Sequence, residues 1–207
     1  MAISFPRALP EVGYVTVDFT LDDGVTASAT RGKLINFTQY VDPFWTASVV
    51  TRPLNYSAFS ALETWWFSLR GGTRSKGVLF RNPHICYPMA HLLNRAPADD
   101  EGLLASVTDG NKLTVNGVSH DLILGDMDLI GLEFLSRYYV GKVVEVSGSG
   151  TSRVITVEPP PYRAVAQAGA TVRFAKVPLL MRPVPGSFSA PRTNGKYTVS
   201  FKLQEAP

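Results

Sequence analysis

His84, Cys86 and His91 flank Pro88 in one short stretch, and His120 stands alone further on. Three histidines and a thiol are the raw material of a zinc site or a thiol nucleophile. The spacing fits neither, because CxxC, HxxxH and HExxH are all missing, so polar loop and turn residues are the expected role. No GxSxG and no Cys–His signature marks a nucleophile. Gly148-Ser149-Gly150-Thr151-Ser152 lacks the lysine of a phosphate loop and precedes a strand pattern, so it predicts a hairpin turn. Asp99-Asp100-Glu101-Gly102 lacks the alternating ligands of a calcium loop and predicts a solvated loop, with a weak cation site as the alternative. Asp126 and Asp128 surround Met127 as turn and strand-edge residues rather than as an acid–base pair. No catalytic, cofactor-binding or metal-ligating residue is assigned, and no enzyme activity is expected.

Aromatic side chains are the stronger signal. Trp45, Trp65, Trp66, Tyr56, Phe67 and Tyr87 offer stacking surfaces for a sugar, with core packing as the competing role. The clearest element that must position them is a helix over residues 55–70. Asn55 is its N-cap, Leu54 and Phe59 have hydrophobic-staple spacing, and Gly71-Gly72 ends it. Phe59, Leu62, Trp65, Trp66 and Leu69 form one apolar stripe, with Ala58 beside them. Tyr56 and Phe67 lie together off that stripe, with Glu63 and Arg70 between, which suits a second contact surface.

The rest of the chain reads as strand. Val15, Val17, Phe19 and Leu21 alternate with polar residues, and Asp23-Gly24 signals a hairpin. Residues 25–41 look extended, with Leu34, Ile35, Phe37 and Tyr40 available for a core. Phe44–Arg52 and Gly77–Arg81 are further strands. Lys196–Leu203 alternates so that Tyr197, Val199, Phe201 and Leu203 share a face, and it is expected in one sheet with the first strand, under the helix.

Between them, turn chemistry is dense. Asp109-Gly110-Asn111 and Asn116-Gly117 punctuate short runs, and Asn116-Gly117 is a strong hairpin signal. Tyr138–Val146, Arg153–Val157 and Thr171–Lys176 are strands, and Pro159-Pro160-Pro161 stops the second. The expected fold is mainly β with one main helix. Residues 1–91 plus 183–207 form a β-sandwich or split-barrel domain, and 92–182 an inserted small β-barrel or sandwich.

The 207 residues carry a net charge of +3 without a Lys/Arg run, which gives no support for nucleic-acid binding. One cysteine excludes an internal disulfide and fits folding in a reducing compartment. The N-terminal arm, with Pro6 and Pro10, does not read as a signal peptide, and no apolar run is long enough to span a membrane. Ile3, Phe5 and Leu9 among those prolines suit a strap laid over a neighbour. With Tyr56 and Phe67 they are the expected subunit-interface residues.

Two stretches carry a family resemblance. ETWWFSLRGGTRSKGVLFRNPHICYP and VITVEPPPYRAVAQAGATVRFAKVPLLMRP, the latter followed by SFKLQEA, resemble patterns in distal tail or minor tail proteins of long non-contractile-tailed phages and related prophages. Asn82-Pro83-His84 stands where those proteins have an Asp-Pro-type turn. The resemblance implies a structural virion protein with a tail-tube-like domain at the tail tip, made in the host cytoplasm. It implies a homo-oligomeric ring, expected to be a hexamer, linking the tail tube protein to hub and tip proteins, with the tape measure protein a further candidate partner. It names no cofactor. A carbohydrate- or receptor-binding β module is the alternative function.

Overall fold

The computed structural model describes residues 4–29, 35–73 and 77–206. In chain order the strands are β1 (Arg7–Ala8), β2 (Tyr14–Asp22), β3 (Val25–Ala29), β4 (Ile35–Gln39), β5 (Phe44–Thr51) and β6 (Val78–Arg81). They continue as β7 (Gly102–Thr108), β8 (Lys112–Asn116), β9 (Leu129–Phe134), β10 (Arg137–Ser147), β11 (Ser152–Glu158) and β12 (Thr171–Arg173). The last are β13 (Pro178–Pro183), β14 (Arg192–Thr193), β15 (Lys196–Tyr197) and β16 (Ser200–Glu205). Helix α1 spans Tyr56–Ser68, and a single-turn helix, α2, spans Ala96–Asp99.

Contacts divide the chain into two units, one of residues 10–77 and 181–206, the other of 1–9, 78–180 and 207. These boundaries differ from the 91/92 and 182/183 breaks read from the sequence. Residues 82–91 go with the second unit because they are bonded into it. Met89 N–H donates to Asp128 Oδ1 at 3.0 Å, Ile123 N–H donates to His91 Nε2 at 2.9 Å, and Lys176 N–H donates to the Cys86 carbonyl at 2.7 Å.

In the first unit, β5 lies between β2 and β16, and Met181–Pro183 of β13 pairs on the far side of β16. The first and last long strands therefore share a sheet without being neighbours. β5 buries every second side chain, Trp45, Ala47 and Val49 among them, and β16 buries Phe201 and Leu203. Helix α1 buries Phe59, Leu62, Trp65 and Trp66. Asn55 caps it through Ala58 N–H at 2.9 Å, as its sequence predicts. Phe201 lies 5.9 Å from Trp65 and 5.3 Å from Trp66 between ring centres, so β16 meets the helix through aromatic contacts.

Three expectations fail here for local reasons. Val15 is exposed because the register shifts between Tyr14 and Thr16, a bulge that turns it off the apolar face. Asp23-Gly24 joins strands of different sheets rather than closing a hairpin, since β2 pairs with β5 and β3 with β4. The final strand is broken after Tyr197, where β15 folds back on β14 around Asn194-Gly195.

Glu205 ends β16, and its Oε2 accepts the Trp45 N–H at 2.9 Å. Burial raises its pKa, and the bond from Trp45 offsets part of that rise. The folded carboxyl thus binds its proton more readily than the unfolded one. Stability from this group grows as pH falls between the two pKa values and is lost as pH rises through the folded one. Glu205→Gln keeps the acceptor and removes the charge. It is expected to unfold at a higher temperature than the parent at neutral pH, the two converging near pH ~4. A variant less stable than the parent at neutral pH would contradict this.

The second unit is a closed barrel of six antiparallel strands in the order β10-β11-β8-β7-β12-β9. Leu104, Leu113, Val115, Ile130, Leu132 and Ile155 fill its interior. Arg7–Ala8 pairs in parallel with Val78–Leu79 in the same unit. The Gly148–Gly150 turn joins β10 to β11 as expected. Asn116-Gly117 makes no hairpin. Val118 N–H instead donates to the Thr151 carbonyl, and the chain runs on as a loop to β9.

Candidate functional site

The histidines converge on nothing. His91 is buried with both ring nitrogens engaged: Nδ1 lies 3.1 Å from the Asn94 carbonyl, and Nε2 accepts from Ile123 N–H. His84 and His120 are exposed. Among the described residues no group of three or more His, Cys, Asp or Glu side chains is placed to hold a metal ion. Asp128 is a structural acceptor, with Oδ2 taking Gly125 N–H at 2.7 Å, and Glu101 pairs with Arg173.

Trp45, Trp65 and Trp66 are buried and leave no open face for a sugar. Trp45 stacks on Phe19 at 4.4 Å. Tyr87 lies beneath Arg95 and Lys176, whose charged groups sit 5.0 and 5.7 Å from its ring centre.

The surface that stands out is the β3–β4 hairpin. Its register puts Val25 opposite Gln39 and Ala27 opposite Phe37 on one face, with Thr26 opposite Thr38 and Ser28 opposite Asn36 on the other. One side is therefore apolar and the other polar, the pattern of a strand pair meant to cover something. Yet Val25, Ile35, Phe37, Tyr40 and Val41 are all exposed, Phe37 at 72%. The expectation that Ile35, Phe37 and Tyr40 enter this chain's core is overturned, and Leu34 lies outside the described residues. Alternation reveals a face to be buried but not which molecule buries it.

The base of the hairpin is fixed. Gly24 N–H donates to Asp22 Oδ1 at 2.9 Å, and Tyr40 N–H donates to the Gly24 carbonyl at 3.0 Å. Beside it, β2 is the last strand of its sheet. Its nine residues hold neither proline nor lysine, the usual guards of an open edge.

The expected interface residues divide. Tyr56 and Phe67 are exposed at 70% and 68%, outside the core stripe as predicted. Tyr56 leans on Tyr197 at 6.4 Å between ring centres. Phe5 and Leu9 are half-buried, and the pairing of Arg7–Ala8 with β6 ties the arm into its own chain. Ile3 lies outside the described residues. The exposure of the hairpin face was missed because its alternation reads equally well as core.

No family model matches the chain, and no curated protein matches it at a significant level.

Proposed function

We propose that this chain is a structural virion protein that assembles into a ring at the distal end of a phage tail and links the tail tube to the tip. The observation that carries this reading is the uncovered apolar face of β3–β4, held on a fixed base next to the open edge of β2. An isolated strand pair is marginal in water, so a hairpin with one apolar face needs a partner surface. A second copy supplies both an apolar face and an open strand edge, and head-to-tail contacts of that kind close into rings. Tyr56 and Phe67 on the outer side of α1 add a second aromatic surface to the same unit. The resemblance of residues 60–207 to distal tail proteins supplies the phage role and the tail-tube-like and hub terms.

Ile35→Ser with Phe37→Ser is the direct test. Mass photometry and negative-stain images are expected to show closed rings for the parent and monomers for the variant, with equal melting temperatures. A parent that stays monomeric, or a variant that still closes rings, counts against the reading.

A further inference from the structure

The barrel unit carries an apolar patch unrelated to the hairpin. Met89 and Leu92 project from the turn after Pro88, Ile123 and Met127 from the loop before β9, and Val144 from β10, all exposed. Leu93, beside Leu92, is fully exposed. Hydrogen bonds lace these segments into one surface: Met89 to Asp128, Ile123 to His91, and Met127 N–H to the Val143 carbonyl at 2.8 Å. Met127 sits at φ 70°, a conformation that strains any residue with a Cβ. The bonded loop thereby holds an apolar side chain in water.

The charges around the patch are acidic. Asp121 and Asp126 lie on the same loop and are exposed, and Asp99 and Asp100 close the short helix packed beside the turn. Arg95 and Lys176 are both drawn over Tyr87, and His120 lies beside Asp121, which leaves the aspartates in the majority. This chain's own hairpin sequence sets Asp22, Asp23 and Asp42 against Arg31 and Lys33. That near-balanced set answers an acidic rim less well than a uniformly basic segment does.

We infer that this patch docks a short basic amphipathic segment of a partner protein. Methionine suits the task, because its unbranched thioether adapts to the side chains it meets. The bonded loops present the patch without an ordering step, which favours binding. The inference is independent of ring formation through the hairpin.

The probe is a fluorescein-labelled Leu/Lys peptide of helical spacing, titrated into the full chain and followed by anisotropy, with a Leu/Glu peptide of the same spacing as control. The Leu/Lys peptide is expected to bind at least about tenfold more tightly, and more weakly as salt rises. Asp121→Asn with Asp126→Asn, and separately Leu93→Ser with Met127→Ser, should each weaken it by about tenfold while leaving melting temperature and ring formation unchanged. Equal affinity for both peptides, no binding, or binding indifferent to both double variants would overturn the inference. Loss of ring closure in the patch variants would place a second copy there and overturn it too. Should the Leu93/Met127 variant misfold, the aspartate pair alone decides.

Discussion

Phe201→Ala is expected to destabilise the 10–77/181–206 unit by about 3–5 kcal/mol, the range for truncating a buried aromatic ring. The side chain is essentially inaccessible and meets both Trp65 and Trp66. An alanine would leave Trp65 and Trp66 without their common neighbour, and Trp66 also packs on Phe188 at 5.2 Å. The same tryptophans report the transition by fluorescence, and the midpoint should fall by about 10 °C. An unchanged midpoint would mean that β16 and α1 do not share a core.

Gly24→Ala is the second large effect expected, at about 3 kcal/mol or more, combining left-handed strain with a steric clash. Gly24 has φ 62°, and a Cβ there would overlap the Val41 carbonyl oxygen and sit 2.6 Å from Val41 Cγ1. A backbone oxygen cannot swing aside as a side-chain tip can. The substitution would prise apart the base of the β3–β4 hairpin, so hydrogen exchange at Tyr40 N–H should accelerate together with a lower denaturation midpoint. If the hairpin closes the proposed ring, ring closure should fail as well. If Tyr40 keeps its protection and the midpoint holds, the base is not the rigid element described.

Much of the architecture was legible because the relevant signals are local. Asn55, the 59/62/65/66 spacing and the glycines after Leu69 place α1 almost to the residue. Alternation in β16 identifies its buried face, and composition alone marks β5 as a strand. What escaped the sequence is decided by partners distant in the chain. The bulge that expels Val15 depends on the register against β5. The β9–β10 turn uses Leu135 and Ser136 at positive φ, with no glycine or asparagine to announce it. There the barrel ladder overrides turn preference. Asn116-Gly117 carries the stronger local signal and makes no hairpin, because Val118 pairs with Thr151 instead. The candidate interface was half visible. Tyr56 and Phe67 were separable from the core by angle on the helix. The hairpin was not, since periodicity says how a strand is sided and nothing about whose side chains complete it.

The placement of β16 also sets an order of events during synthesis. The bond from Trp45 to Glu205 joins residues 160 apart, and β5 has its full complement of neighbours only when β16 arrives. The barrel strands lie wholly within residues 102–173, a continuous stretch that is complete before β16 is made. Domains fold as units while the chain is still being made, so the barrel can form cotranslationally. The sheet of the other unit must wait, with the apolar faces of β2, β5 and α1 unfinished through that interval. Long-range strand pairing is slow and leaves such intermediates open to aggregation. Production of this protein should therefore be limited by the interval before its last strand docks, and slower synthesis at lower temperature should raise the soluble yield.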